Sequence, residues 1–99
     1  MIKEKKISHN LHDTYHVKLI ANLKKYNISR QEQFNSLTDR ELEIFHLLAN
    51  GLNNPEISEK LNISRFTVEN HRRHINKKLE ITHFKDLIKY ALAFKVVKL

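Results

Sequence analysis

The sequence predicts an all-α protein in which four helices form a small domain and one additional amphipathic helix precedes it. Ninety-nine residues are enough for a single modest core but not for two. One Gly and one Pro disfavour a turn-rich β fold, whereas abundant Leu, Ile, Lys, Glu and Asn favour helices. Apolar residues also recur at spacings of three and four, which is the helical pattern.

The net charge of +7 is unevenly distributed. Residues 37–63 are net acidic, whereas residues 64–99 hold most of the excess of Lys and Arg. A basic second half after an acidic segment is typical of a protein that binds a polyanion on one side. A solvated, Lys-rich surface explains the charge alone equally well.

Several functional classes lack their signals. The chain has no Cys, which excludes disulfides and thiolate chemistry and suits a reducing cytoplasm. No apolar run reaches membrane-spanning length, and no signal segment opens the chain. There is no glycine-rich phosphate loop or nucleophile motif, so we expect no enzyme activity and no cofactor. His12 and His16 share a helix face, but no further ligands accompany them, so we expect no metal site.

The N-terminal region is predicted to hold one amphipathic helix over residues 11–26. Asn10 can cap it, and Asn27 is a plausible left-handed stop. Residues 28–36 lack periodicity and are interpreted as a polar linker in which Phe34 docks on the domain. The apolar positions of the helix are Leu11, Tyr15, Leu19, Leu23 and Tyr26. The predicted division is therefore residues 1–36, helix and linker, and residues 37–99, the folded domain.

The domain begins with a capping box at Thr38-Asp-Arg-Glu41, which starts a second helix. Gly51, the only glycine, is expected to end this helix at a left-handed position. Its inward residues are predicted to be Leu42, Phe45, Leu48 and Ala49.

A short third helix is predicted over Pro55–Leu61. Asn54 is the expected cap, because proline suits the first helical position and holds the preceding residue extended. Residues 62–64 form a tight turn in which Asn62 tolerates positive φ and Ser64 caps the next helix. Two short helices joined in this way form a helix-turn-helix.

The helix after Ser64 is the strongest functional signal in the chain. Only Val68, Ile75 and Leu79 form an apolar seam, with His71 and Arg72 at its edges. The opposite face is polar and basic apart from one aromatic residue. It carries Phe66, Glu69, Asn70, Arg73, Asn76 and Lys77. A narrow seam below a basic, amide-bearing ridge suits a helix that lies in the DNA major groove.

The last helix is predicted to start at a Thr82 cap and to run to about Val97. Its apolar residues cover more than one face, so it needs two surfaces to pack against. One is the core of the domain. The other is either a second copy of this helix or the N-terminal helix.

The ordered segments from residue 37 to residue 97 resemble the LuxR/FixJ/GerE-type DNA-binding domain, and more loosely the promoter-reading domain of sigma factors. The segments are Leu37-Thr-Asp-Arg-Glu-Leu-Glu43, Ala49-Asn-Gly51, Asn54-Pro-Glu-Ile-Ser58, Leu61-Asn-Ile-Ser64, Thr67-Val-Glu-Asn-His71, Ile75-Asn-Lys-Lys-Leu79 and Leu87-Ile-Lys-Tyr-Ala91. The resemblance implies a four-helix domain whose third helix enters the major groove and whose fourth supports dimerisation.

The resemblance also implies roles for individual residues. The base-facing positions are Glu69, Asn70 and Arg73. Phosphate contacts are expected from Asn54, Ser64, Arg65, Thr67, Arg72, Lys77 and Lys78. The dimer surface is expected to include Leu87, Tyr90, Ala91 and Phe94. One departure is Pro55, since the family often has Lys there, and proline removes both a cation and a backbone donor.

Chemistry is consistent with the base-reading positions. Arg73 can donate two hydrogen bonds to guanine, and Asn70 can pair with adenine. Glu69 can accept from cytosine N4, or it can orient Arg73 or Arg72.

The sequence therefore predicts a cytoplasmic bacterial transcription regulator that binds double-stranded DNA, acts as a homodimer and can contact RNA polymerase. The competing hypothesis is a helical protein-interaction module that docks a partner regulator or polymerase, in a sigma-like manner, through its C-terminal helix.

Overall fold

A computed structural model describes the backbone of residues 2–97 and the side chains of residues 14–97. The described chain contains helices and no strand, which confirms the all-α prediction. The helices, in chain order, are α1 (Ile2–Asn35), α2 (Asp39–Ala49), α3 (Asn54–Leu61), α4 (Arg65–Leu79) and α5 (Phe84–Ala93).

Helix α1 differs most from its prediction. It begins before Asn10 and passes through Asn27 without a break, so the predicted cap, stop and linker over residues 28–36 are wrong. The helix continues because Asn27 bonds with its side chain instead of adopting the left-handed backbone. Its Nδ2 donates to the carbonyl oxygen of Ala93 at 3.0 Å, and its Oδ1 accepts from Gln31.

The second half of α1 packs on α5 and α2 through aromatic contacts. The rings of Phe34 and Phe94 stack with centroids 4.1 Å apart, and Phe34 meets Phe45 edge-on at 5.5 Å. Tyr26 packs edge-on against Tyr90 at 5.1 Å. The docking predicted for Phe34 is therefore confirmed, although a helix and not a linker carries it.

The start of α2 follows its prediction. The Glu41 amide donates to Thr38 Oγ1 at 3.1 Å, and the Thr38 amide donates to Glu41 Oε1 at 2.9 Å. Gly51 ends this segment with φ of 92°. Ile44 is fully buried beside Phe45, an inward position that the sequence prediction omitted. Leu42, predicted to face inward, is only half-buried.

Helix α3 begins one residue earlier than predicted. The cap is Asn53, whose Oδ1 accepts from the Glu56 amide at 3.0 Å while Glu56 Oε1 accepts from the Asn53 amide. Asn54 and Pro55 are the first two helical residues. Asn53 and not Asn54 is the cap, because only Asn53 lies three residues before a glutamate, which completes a capping box.

The turn between α3 and α4 agrees with its prediction. Asn62 adopts the left-handed conformation with φ of 54°. The Ser58 hydroxyl donates to the Ile63 carbonyl oxygen and tightens the turn. Ser64 Oγ accepts from the Thr67 amide at 3.0 Å and caps α4.

Helix α5 is shorter than predicted. Its cap position is His83 and not Thr82, without a side-chain capping bond, and it ends at Ala93 and not near Val97. Lys95 adopts φ of 60°, and the Val96 amide donates a hydrogen bond to the Ala91 carbonyl oxygen.

The buried Tyr90 hydroxyl donates to the Leu79 carbonyl oxygen at 2.9 Å and connects α5 to the end of α4. Burial raises the pKa of Tyr90 to about 12.

Candidate nucleic-acid interface

Helix α4 is anchored by its apolar seam, as predicted. Val68, Ile75 and Leu79 have no exposed surface and belong to the single buried core. His71 and Arg72 lie half-buried at the edges of this seam. The core therefore fixes the rotation of α4 about its axis.

The opposite face of α4 is exposed, and we call it the α4 ridge. Its exposed residues are Arg65, Phe66, Glu69, Arg73, Asn76 and Lys77. Asn70 and Thr67 are half-buried beside them. Helix α1 meets α4 near its far end, where Arg30 and Gln33 approach Glu80, so α1 does not cover the ridge. The ridge is open along its length.

The start of α4 offers backbone donors. Ser64 accepts the Thr67 amide, and its hydroxyl also shares a hydrogen bond with Thr67 Oγ1 at 2.9 Å. The amides of Arg65 and Phe66 lie ahead of this bond, at the positive end of the helix dipole. Such a terminus, next to an exposed Arg65 side chain, is chemically suited to a phosphate group.

Asn54 links α3 to the α4 ridge. Its Nδ2 donates to Glu69 Oε2 at 3.0 Å, and its Oδ1 accepts from Arg72 Nη1 at 2.6 Å. The amide is therefore engaged on both sides within the chain. Asn54 therefore supports Glu69 and Arg72, and because its amide nitrogen keeps a second N–H, its phosphate contact stays a prediction.

Arg73 and Asn70 are already in contact. Arg73 Nη2 donates to Asn70 Oδ1. Pairing of these side chains at i and i+3 presents the guanidinium and the amide side by side on the ridge. The structure thus brings Glu69, Asn70 and Arg73 together on one face, while their contact with bases stays a prediction.

Lys78 does not join the ridge. Its ammonium lies 2.6 Å from Glu41 Oε1, and it also donates to the Ser36 carbonyl oxygen at 3.2 Å. Glu41 is only 3% exposed. A phosphate contact by Lys78 would compete with this pair, because a buried carboxylate needs a paired cation, and it stays a prediction. The pair joins the start of α2 to the last turn of α4.

Burial raises the pKa of Glu41, but the hydrogen bonds from Lys78 and from the Thr38 amide, with the Lys78 charge, lower it by more. The net pKa lies below the usual 4.5. A carboxyl with a depressed pKa stabilises the fold above its unfolded-state pKa, and that stability is lost as the pH falls through the folded-state value.

We therefore expect Glu41→Gln to cost roughly 1–3 kcal/mol of unfolding free energy at about pH 7 and much less at about pH 3. Glutamine keeps the capping geometry but removes the charge. Urea unfolding at both pH values measures the difference. An equal cost at the two values would show that the ion pair does not contribute.

The predicted dimer surface is largely interior. Tyr90 and Ala91 have no exposed surface and Leu87 is 3% exposed, whereas Phe94 is half-buried. These residues face the core and α1, which supplies the second surface that α5 needs. In this arrangement a dimer through Leu87, Tyr90 and Ala91 would require α1 to move away, and their dimer contact stays a prediction.

Among the side chains of residues 14–97, no group of three or more His, Cys, Asp or Glu is placed to hold a metal ion. His12 lies outside the described side chains. None of the helices in the described part of the chain is long and apolar enough to cross a membrane.

Comparison with known sequences assigns the part of the chain that contains α4 to a family. Residues 35–91 match the GerE family, described as bacterial regulatory proteins of the luxR family. This span runs from the last residue of α1 to Ala91 in α5, so it contains the helix-turn-helix and the whole of the α4 ridge.

Individual relatives align over most of the chain. An oxygen regulatory protein NreC from Staphylococcus haemolyticus is 42% identical over 71 residues, and one from Staphylococcus carnosus is 45% identical over 69. These alignments cover 72% and 70% of this chain. An uncharacterized response regulatory protein, YgeK, from Escherichia coli is 48% identical over 68 residues, or 69% of the chain.

The chain spans only part of the length of these relatives. The aligned segment covers 33% and 32% of the two NreC proteins and 46% of YgeK. Similarity therefore concerns less than half of the length of each of these proteins.

Proposed function

The chain belongs to the luxR family of bacterial regulatory proteins, which are DNA-binding transcription regulators, and we propose that it reads a specific duplex sequence by placing α4 in the major groove. The observation that carries this proposal is the exposure of the α4 ridge above a seam with no exposed surface. A helix held in this way can enter the groove without losing its packing.

In this proposal some residues of α4 contact the DNA bases and others contact the DNA phosphates. Glu69, Asn70 and Arg73 face base edges, and Asn54 holds Glu69 in position from α3. Phosphate contacts come from the start of α4 and from cations and hydroxyls around it, of which Arg72 and Thr67 are half-buried and the others exposed. They are Ser64, Arg65, Thr67, Arg72 and Lys77.

We propose that the protein binds DNA as a homodimer, in the cytoplasm, with two recognition helices about 34 Å apart on successive major grooves. A dimer through the buried face of α5 would require α1 to move away, since Tyr26 and Phe34 of α1 contact Tyr90. Sedimentation of the protein with duplexes that carry one or two half-sites tests the stoichiometry. One protein per two-site duplex would contradict the dimer.

Binding should weaken steeply with salt. Each neutralised phosphate contributes about 0.9 to the slope of log affinity against log salt concentration. Because Lys77 is an exposed cation at the far end of the ridge, Lys77→Ala should lower affinity for every sequence alike and reduce this slope by about one. Mobility shifts over a salt series measure both effects.

Lys25→Ala is the matched control, since Lys25 is an exposed lysine on α1. It should leave the slope unchanged. An unchanged slope for Lys77→Ala as well would remove Lys77 from the phosphate contacts.

A further inference from the structure

Phe66 is the second residue of α4 and the one large apolar side chain on the α4 ridge. Its side chain is 71% exposed. Phe34, Phe45 and Phe94, by contrast, meet one another in the aromatic contacts between α1, α2 and α5. Phe66 therefore contributes nothing to the described core, and its type is not explained by the fold.

The position of Phe66 places it among the base-facing residues. Glu69, Asn70 and Arg73 follow it at i+3, i+4 and i+7, so all four share one helix face. The first residues of a recognition helix are those that reach base edges in helix-turn-helix proteins. The backbone donors and Arg65 beside it are suited to phosphate, so DNA that met them would lie against the Phe66 ring.

We propose that Phe66 is a specificity-determining residue that packs against the C5-methyl group of a thymine. This inference rests on the proposed function. The ring has no hydrogen-bonding group, and the thymine methyl is the only apolar feature that a base pair presents in the major groove. Phe66 thus adds a thymine preference beside the polar readout by Glu69, Asn70 and Arg73.

Removal of single thymine methyl groups from the DNA tests this contact directly. A preferred duplex is first selected from a random pool by the wild-type chain, and each thymine in it is then replaced by deoxyuridine, which lacks only the methyl. At one position the wild type should lose about fourfold in affinity, the value of one buried methyl group.

Phe66→Ala should bind the original duplex at least fourfold more weakly and should show no further loss with deoxyuridine at that position. Phe66→Leu keeps an apolar side chain, so deoxyuridine at that position should still lower its affinity, but by less than for the wild type. Phe84→Ala is the matched control, because Phe84 is also exposed, at 53%, but begins α5. It should behave as the wild type at every thymine.

The outcomes distinguish failure of the proposed function from failure of this inference alone. If the wild type enriches no duplex, the proposed function falls and this inference falls with it. If a motif is enriched but contains no thymine, or tolerates deoxyuridine everywhere, the inference alone is overturned. It is also overturned if Phe66→Ala keeps the full loss at the same thymine, which would indicate that the ring contacts something else.

Discussion

Arg73→Ala is expected to remove the preference for guanine at one position of the selected site and to weaken binding to that site roughly 5- to 150-fold. The side chain is exposed on the α4 ridge, where it contacts Asn70 and no core residue. Its loss should therefore affect recognition without affecting folding.

Selection from a random duplex pool, followed by affinity measurement on the preferred site and on unrelated DNA, distinguishes the roles. Affinity for unrelated DNA should fall far less than affinity for the preferred site. Arg40→Ala is the matched control, because Arg40 is an exposed arginine on α2 that pairs with Glu43 at 2.8 Å. Equal weakening on all sequences would make Arg73 a backbone contact instead.

Phe34→Ala is expected to lower the free energy of unfolding by about 2–4 kcal/mol. The ring is half-buried, stacks on Phe94 and meets Phe45, so its removal opens a cavity between α1 and the other helices. Denaturant unfolding of the full chain measures the loss. This loss would be a large share of the free energy of unfolding, because a small domain has little net stability.

Ile28→Ala provides the control on the same helix. Ile28 is 73% exposed, so its truncation should change stability by about 0.5 kcal/mol or less. If Phe34→Ala were equally mild, α1 would not be part of the fold, and residues 28–36 would behave as the linker that the sequence suggested.

The features that the sequence predicted well are local. The Thr38 and Ser64 caps, the Asn62 turn and the seam at Val68, Ile75 and Leu79 depend on residues within one or two turns of each other. Their patterns are therefore visible without tertiary information. The cap of α3 was displaced by one residue because Asn53 and Asn54 are both good caps.

The features that were missed depend on partners distant in the chain. Helix α1 was predicted to end at Asn27 because residues 28–36 lack apolar periodicity. The structure gives these residues partners in α4 and the turn after it: Arg30 and Gln33 both reach Glu80. No local pattern reveals such pairs, and the same holds for Lys78 with Glu41.

Resemblance to a known family identified the helix-turn-helix, and the family match confirms it. The dimer surface that the resemblance implies on α5 is covered by α1 in this chain, and dimerisation stays a prediction. The physical argument that a two-faced apolar helix needs a second surface was sound, and it left α1 open as that surface.

Recognition by α4 is tested most directly by nuclear magnetic resonance, with the isotope-labelled chain titrated with a duplex that it selects. The proposal predicts that the largest amide and side-chain shifts fall within residues 65–77, with Phe66, Glu69, Asn70 and Arg73 among them. Shifts confined to α1 or α5, with the α4 ridge unmoved at saturation, would contradict it.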